Sequence, residues 1–425
     1  MTQAKRLYIN GVEVERYCIV YGASPITECA GSLTGRTVAE DIGDLLLGEN
    51  AAYDFDRQSA VRLQEAIMHA CGAELTLICE SDFDGKRENV ICVGRACKET
   101  LSPRAYTCRM TEGEYLVFGG SYGATWHAID RIEAYLASAE GETIELCDAG
   151  EMAGEYPLLC VACIGDSITR GSQALPDGNG FGTPEGRAAS YGSAATSHYF
   201  EQYLSYPANL HRALWKEYLI YNFGQGNATM RFYEDWERFY YRKTAKFASC
   251  LGTPAKDGIS YDAAIVMLGT NDSGRAGGAK LWTEIEREDF LQEAERLFGE
   301  ILAISPRARL ALMTMPHCCD SHKTEGSNVV VRETQRETAR TLAKRGLDLT
   351  CYDMASYTAD FMGTGHGDTR EGEIEAHADY YNIRTETGKP DCTHPNWRGY
   401  HTISNGVRAL LSHLLEGAEA PQYVI

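Results

Sequence analysis

Apolar positions change their rhythm near residue 158. Before it, short apolar runs alternate with turn residues, and helical spacing is rare. Leu7-Tyr8-Ile9, then Asn10-Gly11, then Val12 onward predict a β-hairpin, because Asn-Gly tolerates the positive φ of a tight hairpin turn. A stretch rich in Gly, Ser and Thr follows. Residues 59–71 then turn helical, with Ala60, Leu63, Ile67 and Ala70 on one face and Gly72 as the stop. Strands are predicted at 75–79, 90–93, 106–110 and 115–118, and a second helix at 124–136. Residues 141–157 read as a short strand and a linker. This order predicts an α+β layer with both helices on one face of the sheet. The turn Gly119-Gly120-Ser121-Tyr122-Gly123 lacks the spacing and the ribose-binding carboxylate of a dinucleotide fingerprint. It reads as a tight strand-to-helix turn.

From 158 on, strand and helix patterns alternate. Strands are predicted at 158–164, 219–223, 263–268, 310–315 and 347–352, and helices at 207–217, 232–248, 284–303, 329–345 and 397–415. Phe290, Ala294, Leu297 and Ile301 make one apolar stripe; Ile403, Val407, Leu410 and Leu414 make another. Apolar strands alternating with helices predict a parallel sheet covered on both sides. The chain therefore divides into an α+β domain over 1–150 and a larger α/β domain over 158–425. Long polar insertions at 172–205 and 355–390 fall on the side of the sheet where ligands bind.

Charge and cysteine usage narrow the partners. The formal net charge of -20 argues against nucleic acid and against an anionic membrane surface. No stretch approaches the ~20 apolar residues of a membrane span. Residues 1–6 lead into a polar hairpin and not an apolar signal core, so a cytoplasmic location is expected. The 15 cysteines are scattered through apolar runs, among them Cys79, Cys92, Cys160, Cys163 and Cys351. They read as small buried thiols and not as a disulfide framework. No cofactor is implied; a homo-oligomer is left open.

The candidate chemistry begins where the first strand of the second domain ends, at Gly165-Asp166-Ser167. A serine at the carboxyl end of a buried strand lies where open α/β sheets bind ligands. Asp-Ser is also a common turn and cap, so the motif needs partners. Three more stretches follow in order on strand ends or their loops. They are Asn222-Phe223-Gly224-Gln225-Gly226-Asn227-Ala228-Thr229, then Gly269-Thr270-Asn271-Asp272, then Asp391-Cys392-Thr393-His394-Pro395-Asn396. A serine hydroxyl is a weak nucleophile and needs an adjacent base. His394 is the candidate base and Asp391 the candidate group that orients it. A tetrahedral oxyanion needs donors aimed where its charge develops. The candidates are the backbone N–H of Ser167, a backbone N–H of the second stretch, and the side-chain amide of Asn271.

In order and spacing these four stretches resemble the four blocks of the SGNH (GDSL-type) hydrolases. The resemblance covers about 158–415 and implies a flavodoxin-like three-layer α/β/α fold and a serine esterase activity. It also implies Ser167, Asp391 and His394 as catalytic residues. The family usually reads Asn-x-Gly-x-x-Gly in its second block, and the last Gly gives an N–H to the oxyanion hole. Here that position is Asn227, with Gly226 just before it. A backbone donor does not require glycine, and Asn is the other residue that best tolerates positive φ. Asp272 is expected to order the Asn271 loop.

A rival constellation, His317-Cys318-Cys319-Asp320-Ser321-His322, holds metal-ligand types, but its spacing fits no zinc pattern. No metal is expected, and this loop is read as lining the cleft. His198, His366, His377 and His401 read as surface or loop histidines. In the first domain, ENVICVGRA and YLVFGGSYGATWHAIDRIEAYL resemble the non-catalytic N-terminal domain of β-hexosaminidases and α-glucuronidases, over about 5–137. That resemblance points to an O-acetylated sugar or oligosaccharide as the ester substrate. Tyr191, Tyr199, Trp282, Tyr380 and Tyr381 would then stack on sugar rings or pack their loops. The alternatives are a lipid or thioester hydrolase, which calls for an apolar groove where this chain has polar insertions, and a non-catalytic carbohydrate-binding protein.

Overall fold

The computed structural model describes residues 5–24, 53–172, 203–275, 282–316, 325–362, 380–384 and 389–425. They divide into two compact units, the break falling between Leu159 and Cys160, with Leu214–Leu219 counted in the first.

In the first unit, β1 (Arg6–Ile9) and β2 (Val12–Glu13) form an antiparallel hairpin with φ of 52° at Asn10 and 72° at Gly11. The second arm is short, because a 3-10 turn at Val14–Arg16 ends it and β3 (Cys18–Tyr21) starts afresh. The pattern reading merged these two strands. Then come α1 (Phe55–Cys71), β4 (Thr76–Cys79), β5 (Val90–Val93), β6 (Ala105–Met110), β7 (Glu114–Gly119), α2 (Tyr122–Ser138), β8 (Thr143–Glu145) and β9 (Met152–Glu155). The main sheet runs β4-β3-β5-β7-β6-β9, parallel from β4 to β7 and antiparallel beyond. Ala60, Leu63 and Ile67 of α1 and Ala128, Ile129 and Ile132 of α2 pack on Ile19, Ile91, Val93 and Val117. The alternate residues Val20, Val90, Cys92, Leu116 and Phe118 form a second core on the opposite face, as the two-residue period of a strand requires. In the glycine turn after β7, a Cβ on Gly120 would stand 2.0 Å from the Ser102 carbonyl oxygen. Close packing explains that glycine.

The second unit contains β10 (Leu159–Gly165), α3 (Ser167–Arg170), α4 (Tyr206–Leu214), β11 (Tyr218–Gly224), α5 (Ala245–Asp257), β12 (Ala263–Met267), α6 (Thr270–Arg275), α7 (Glu284–Ile304), β13 (Arg309–Met313), α8 (Glu325–Lys344), β14 (Leu349–Tyr352), α9 (Met354–Met362), β15 (Tyr381–Arg384), β16 (Lys389–Pro395) and α10 (Trp397–Glu416). The five-stranded sheet runs β11-β10-β12-β13-β14, with β10, β12, β13 and β14 mutually parallel. In order of appearance that is 2-1-3-4-5, the flavodoxin-like order, and its switch point lies between β10 and β12. Every residue of β12 is buried, so this strand reads as one continuous apolar run.

Two segments differ from the pattern reading. Over 232–248 the chain makes 3-10 turns at Glu234–Phe239 and Tyr241–Lys243, and α5 starts only at Ala245. Tertiary bonds override helical spacing there. Thr229 and Tyr240 form a bridge, the Tyr241 hydroxyl donates to the Phe223 carbonyl, and the Thr244 side chain caps α5. The stretch 355–390 opens inside α9 and ends in the hairpin β15–β16, so it is not wholly an insertion. The rest of it, and 173–202 of the other insertion, lie outside the described residues. No helix among the described residues is long and apolar enough to cross a membrane. Cys92, Cys108, Cys163, Cys250 and Cys351 are buried free thiols that burial pushes up to about 12, so they stay protonated and inert at neutral pH.

Candidate active site

The site is built at the carboxyl ends of β10, β11 and β12. β10 stops at Gly165 because nothing larger fits: a Cβ there would stand 2.0 Å from Thr169 Oγ1 and 2.7 Å from the Met267 carbonyl oxygen. Asp166 then caps α3, its side chain accepting from the Ile168 N–H at 2.9 Å. That cap sets Ser167 at the first helical position, buried to 8% exposure. His394 Nε2 lies 2.9 Å from Ser167 Oγ, although the two residues are 227 positions apart.

His394 is delivered by the joint between β16 and α10. Asn396 caps α10, accepting from the N–H groups of Arg398 and Gly399. Asn396 N donates to the Tyr380 carbonyl, and the Tyr400 hydroxyl donates to the Ser172 carbonyl at 2.8 Å. The last helix is thereby tied to the turn behind the serine. An Asn just ahead of an apolar helical stripe is an N-cap signature, so that anchor was legible; the Tyr400 bond was not. Asp391 sits three residues before His394 on the same strand, β16; its side chain lies outside the described residues.

The second block folds onto the first. Gln225 N–H donates to the Gly165 carbonyl at 2.9 Å, and a Cβ on Gly224 would stand 2.1 Å from Arg170 N. Ala228 N–H bonds back to the Gln225 carbonyl, closing a four-residue turn with Asn227 at its third position. Asn227 has φ of 61°. Type II turns need positive φ at that place, and Gly and Asn supply it at least cost. Asn227→Gly should therefore keep kcat on a chromogenic acetate ester within a few-fold. Asn227→Val should lower it far more, because a β-branched residue resists positive φ. Equal damage from both would mean that the asparagine side chain itself matters.

The third block is laced to the second. Asn271 Nδ2 donates to the Ala228 carbonyl at 2.9 Å, and the amide keeps a second hydrogen for another acceptor. The Asp272 carboxylate accepts from Met230 N at 2.9 Å, Arg231 N at 3.0 Å and the Tyr233 hydroxyl at 3.3 Å. So Asp272 holds the chain just past the second block as well as its own loop. Burial pushes Asp272 up to about 6, against the pull of those donors and of the Arg231 guanidinium. A raised carboxyl pKa means the fold favours the neutral acid. Its contribution to stability is full below about pH 4 and drains as pH rises to about 6, by at most about 3 kcal/mol. Relative to Asp272→Asn, the parent should lose stability across that window in urea unfolding. Parallel curves for the two proteins would refute this.

The remaining candidates scatter. Trp282 is buried against Phe290, with the Arg231 guanidinium 5.2 Å over its ring, so it packs the domain. Tyr380 is half-buried and Tyr381 lies on β15; His401 is exposed on α10. Tyr191, Tyr199, His198, His366, His377 and the stretch from His317 to His322 lie outside the described residues.

A sequence profile of the GDSL-like lipase/acylhydrolase family matches residues 163–402. Among solved structures, the chain is similar to a family two carbohydrate esterase from Clostridium thermocellum in complex with cellohexaose, at 15% identity and a TM-score of 0.37, over 63% of this chain and 68% of that one. It is similar to the M. smegmatis aryl esterase at 14% identity and a TM-score of 0.38, over 60% of this chain and 100% of that one. A carbohydrate acetylesterase family member from Sinorhizobium meliloti gives 14% identity and a TM-score of 0.35, over 61% and 100%. No curated protein matches the chain.

Proposed function

The chain belongs to the GDSL-like lipase/acylhydrolase family, and from that we propose that it is a serine esterase releasing O-acetyl groups from carbohydrate. The observation that carries the reading is the 2.9 Å contact between Ser167 Oγ and His394 Nε2. Ser167 Oγ attacks the ester carbonyl carbon while its proton passes to His394 Nε2. The tetrahedral oxyanion collects hydrogen bonds from Ser167 N–H, from an N–H of the 226–227 turn and from the free amide hydrogen of Asn271. Collapse breaks the bond to the sugar oxygen, which leaves as the alcohol with the proton from His394. Water, deprotonated by His394, then attacks the acyl-serine; acetate departs and Ser167 regains its proton. Asp391 orients and stabilises the imidazolium.

The carbohydrate preference is supported by the sequence likeness of the first domain to a glycosidase N-terminal domain. The buried free thiols support a reducing compartment, the cytoplasm. The decisive experiment is acetate release from a panel of acetylated oligosaccharides, with Ser167→Ala as the control. Ser167-dependent release from sugars supports the reading. Hydrolysis confined to long-chain acyl or thioesters would move the substrate class, and no Ser167-dependent hydrolysis at all would refute the esterase.

A further inference from the structure

Arg170 is the last residue of α3, three positions after Ser167, so the two side chains leave the same side of that turn. Its Nη1 lies 3.4 Å from where a Gly226 Cβ would stand, which lays the guanidinium along the oxyanion block. Burial disfavours the ammonium form of Lys246, in the first turn of α5, and the charge of the Arg170 guanidinium adds to that effect. Both residues are half-buried. Among the described residues neither side chain has an ion pair, a hydrogen bond or a ring partner, whereas Arg62, Arg87, Arg231, Arg242 and Arg336 are each paired with carboxylates.

Three costs coincide here. Two like charges repel each other, both are partly desolvated, and Lys246 sits where the helix dipole disfavours a cation. The first turn of α5 carries no acidic residue to offset this. Scarcity of acids is not the reason, since the chain has 60 Asp and Glu against 40 Lys and Arg. A cationic pair with no counter-ion among the described residues, three positions from the proposed nucleophile, is compensated when an anion arrives.

We infer that Arg170 and Lys246 form a subsite for an anionic group, a carboxylate or a phosphate, carried by the ester substrate next to its scissile bond. The inference rests on the esterase reading and narrows it to acidic substrates. The planar guanidinium suits either oxyanion in a two-point contact, and the ammonium adds a point charge.

The test compares acetyl esters of glucuronate, glucose 6-phosphate and glucose, read by acetate release. One or both charged esters should exceed the neutral one in kcat/KM by about tenfold, the scale of one charge-assisted contact. The stronger of the two identifies the anion. Arg170→Gln and Lys246→Gln should each shrink that ratio several-fold, Lys246→Glu should abolish it, and Arg170→Lys should retain part of it. An unchanged ratio in all four variants, or no charge preference in the parent, overturns the subsite and leaves the esterase standing. Calorimetric binding of glucuronate and glucose 6-phosphate to the Ser167→Ala chain separates the two readings. Binding that Lys246→Glu removes, without hydrolysis of any ester by the parent, keeps the subsite and refutes the esterase. Neither binding nor hydrolysis refutes both.

Discussion

Ser167→Ala should lower turnover of a chromogenic acetate ester by at least ~10³, and His394→Ala should match it. The double variant should lose no more than either single one. The reason is the shared proton: Oγ attacks only as its hydrogen moves to Nε2, so removing either partner removes the whole step. The 2.9 Å contact already joins them without substrate. What survives is the acceleration from the oxyanion donors and from binding, which neither substitution touches. Steady-state kinetics on the three proteins, with a serine-directed covalent probe to exclude trace parent enzyme, decides the matter. Multiplied losses in the double variant would mean that serine and histidine serve separate steps.

Asn271→Ala should reduce kcat by ~10²–10³, the usual effect of one lost oxyanion donor. The Michaelis constant should hardly move, because a ground-state carbonyl gains little from that contact. The geometry adds a structural component. Asn271 Nδ2 also bonds the Ala228 carbonyl, so alanine frees the turn that holds Asn227. Asn271→Asp tests donation against mere space filling, since a carboxylate fits the space but donates to neither acceptor. Both variants should fall together in kcat, while the unfolding midpoint reports the loss at Ala228. A large rise in KM with kcat intact would assign Asn271 to substrate binding.

Much of this was legible because strand ends carry the chemistry. Apolar runs located β10, β11, β12, β13 and β14 to within two residues, and three of the four motif blocks sit at or just past the ends of the first three. The positive φ at Asn227 was expected from a residue type, since few non-glycines accept it. The segment 232–248 was not legible. Its aromatic spacing looks helical, yet Tyr241 is buried by a hydroxyl bond to Phe223, and no local pattern encodes that partner. Arg170 escaped for a related reason. It is an ordinary charged residue after a motif, and what distinguishes it is that no counter-ion meets it among the described residues.

The span between Ser167 and His394 also has a meaning in time. The serine opens the short helix after β10, and the histidine lies at the last strand-to-helix joint, 227 residues later. At a synthesis rate of ~5–20 residues per second, His394 follows Ser167 off the ribosome by roughly 10–45 s. Under the proposed mechanism, through that interval the growing chain holds a serine with no base to take its proton. Competence then waits until His394 has been made and β16 has docked. In refolding from urea, recovery of hydrolysis should trail recovery of helical circular dichroism; simultaneous recovery would mean that β16 docks early.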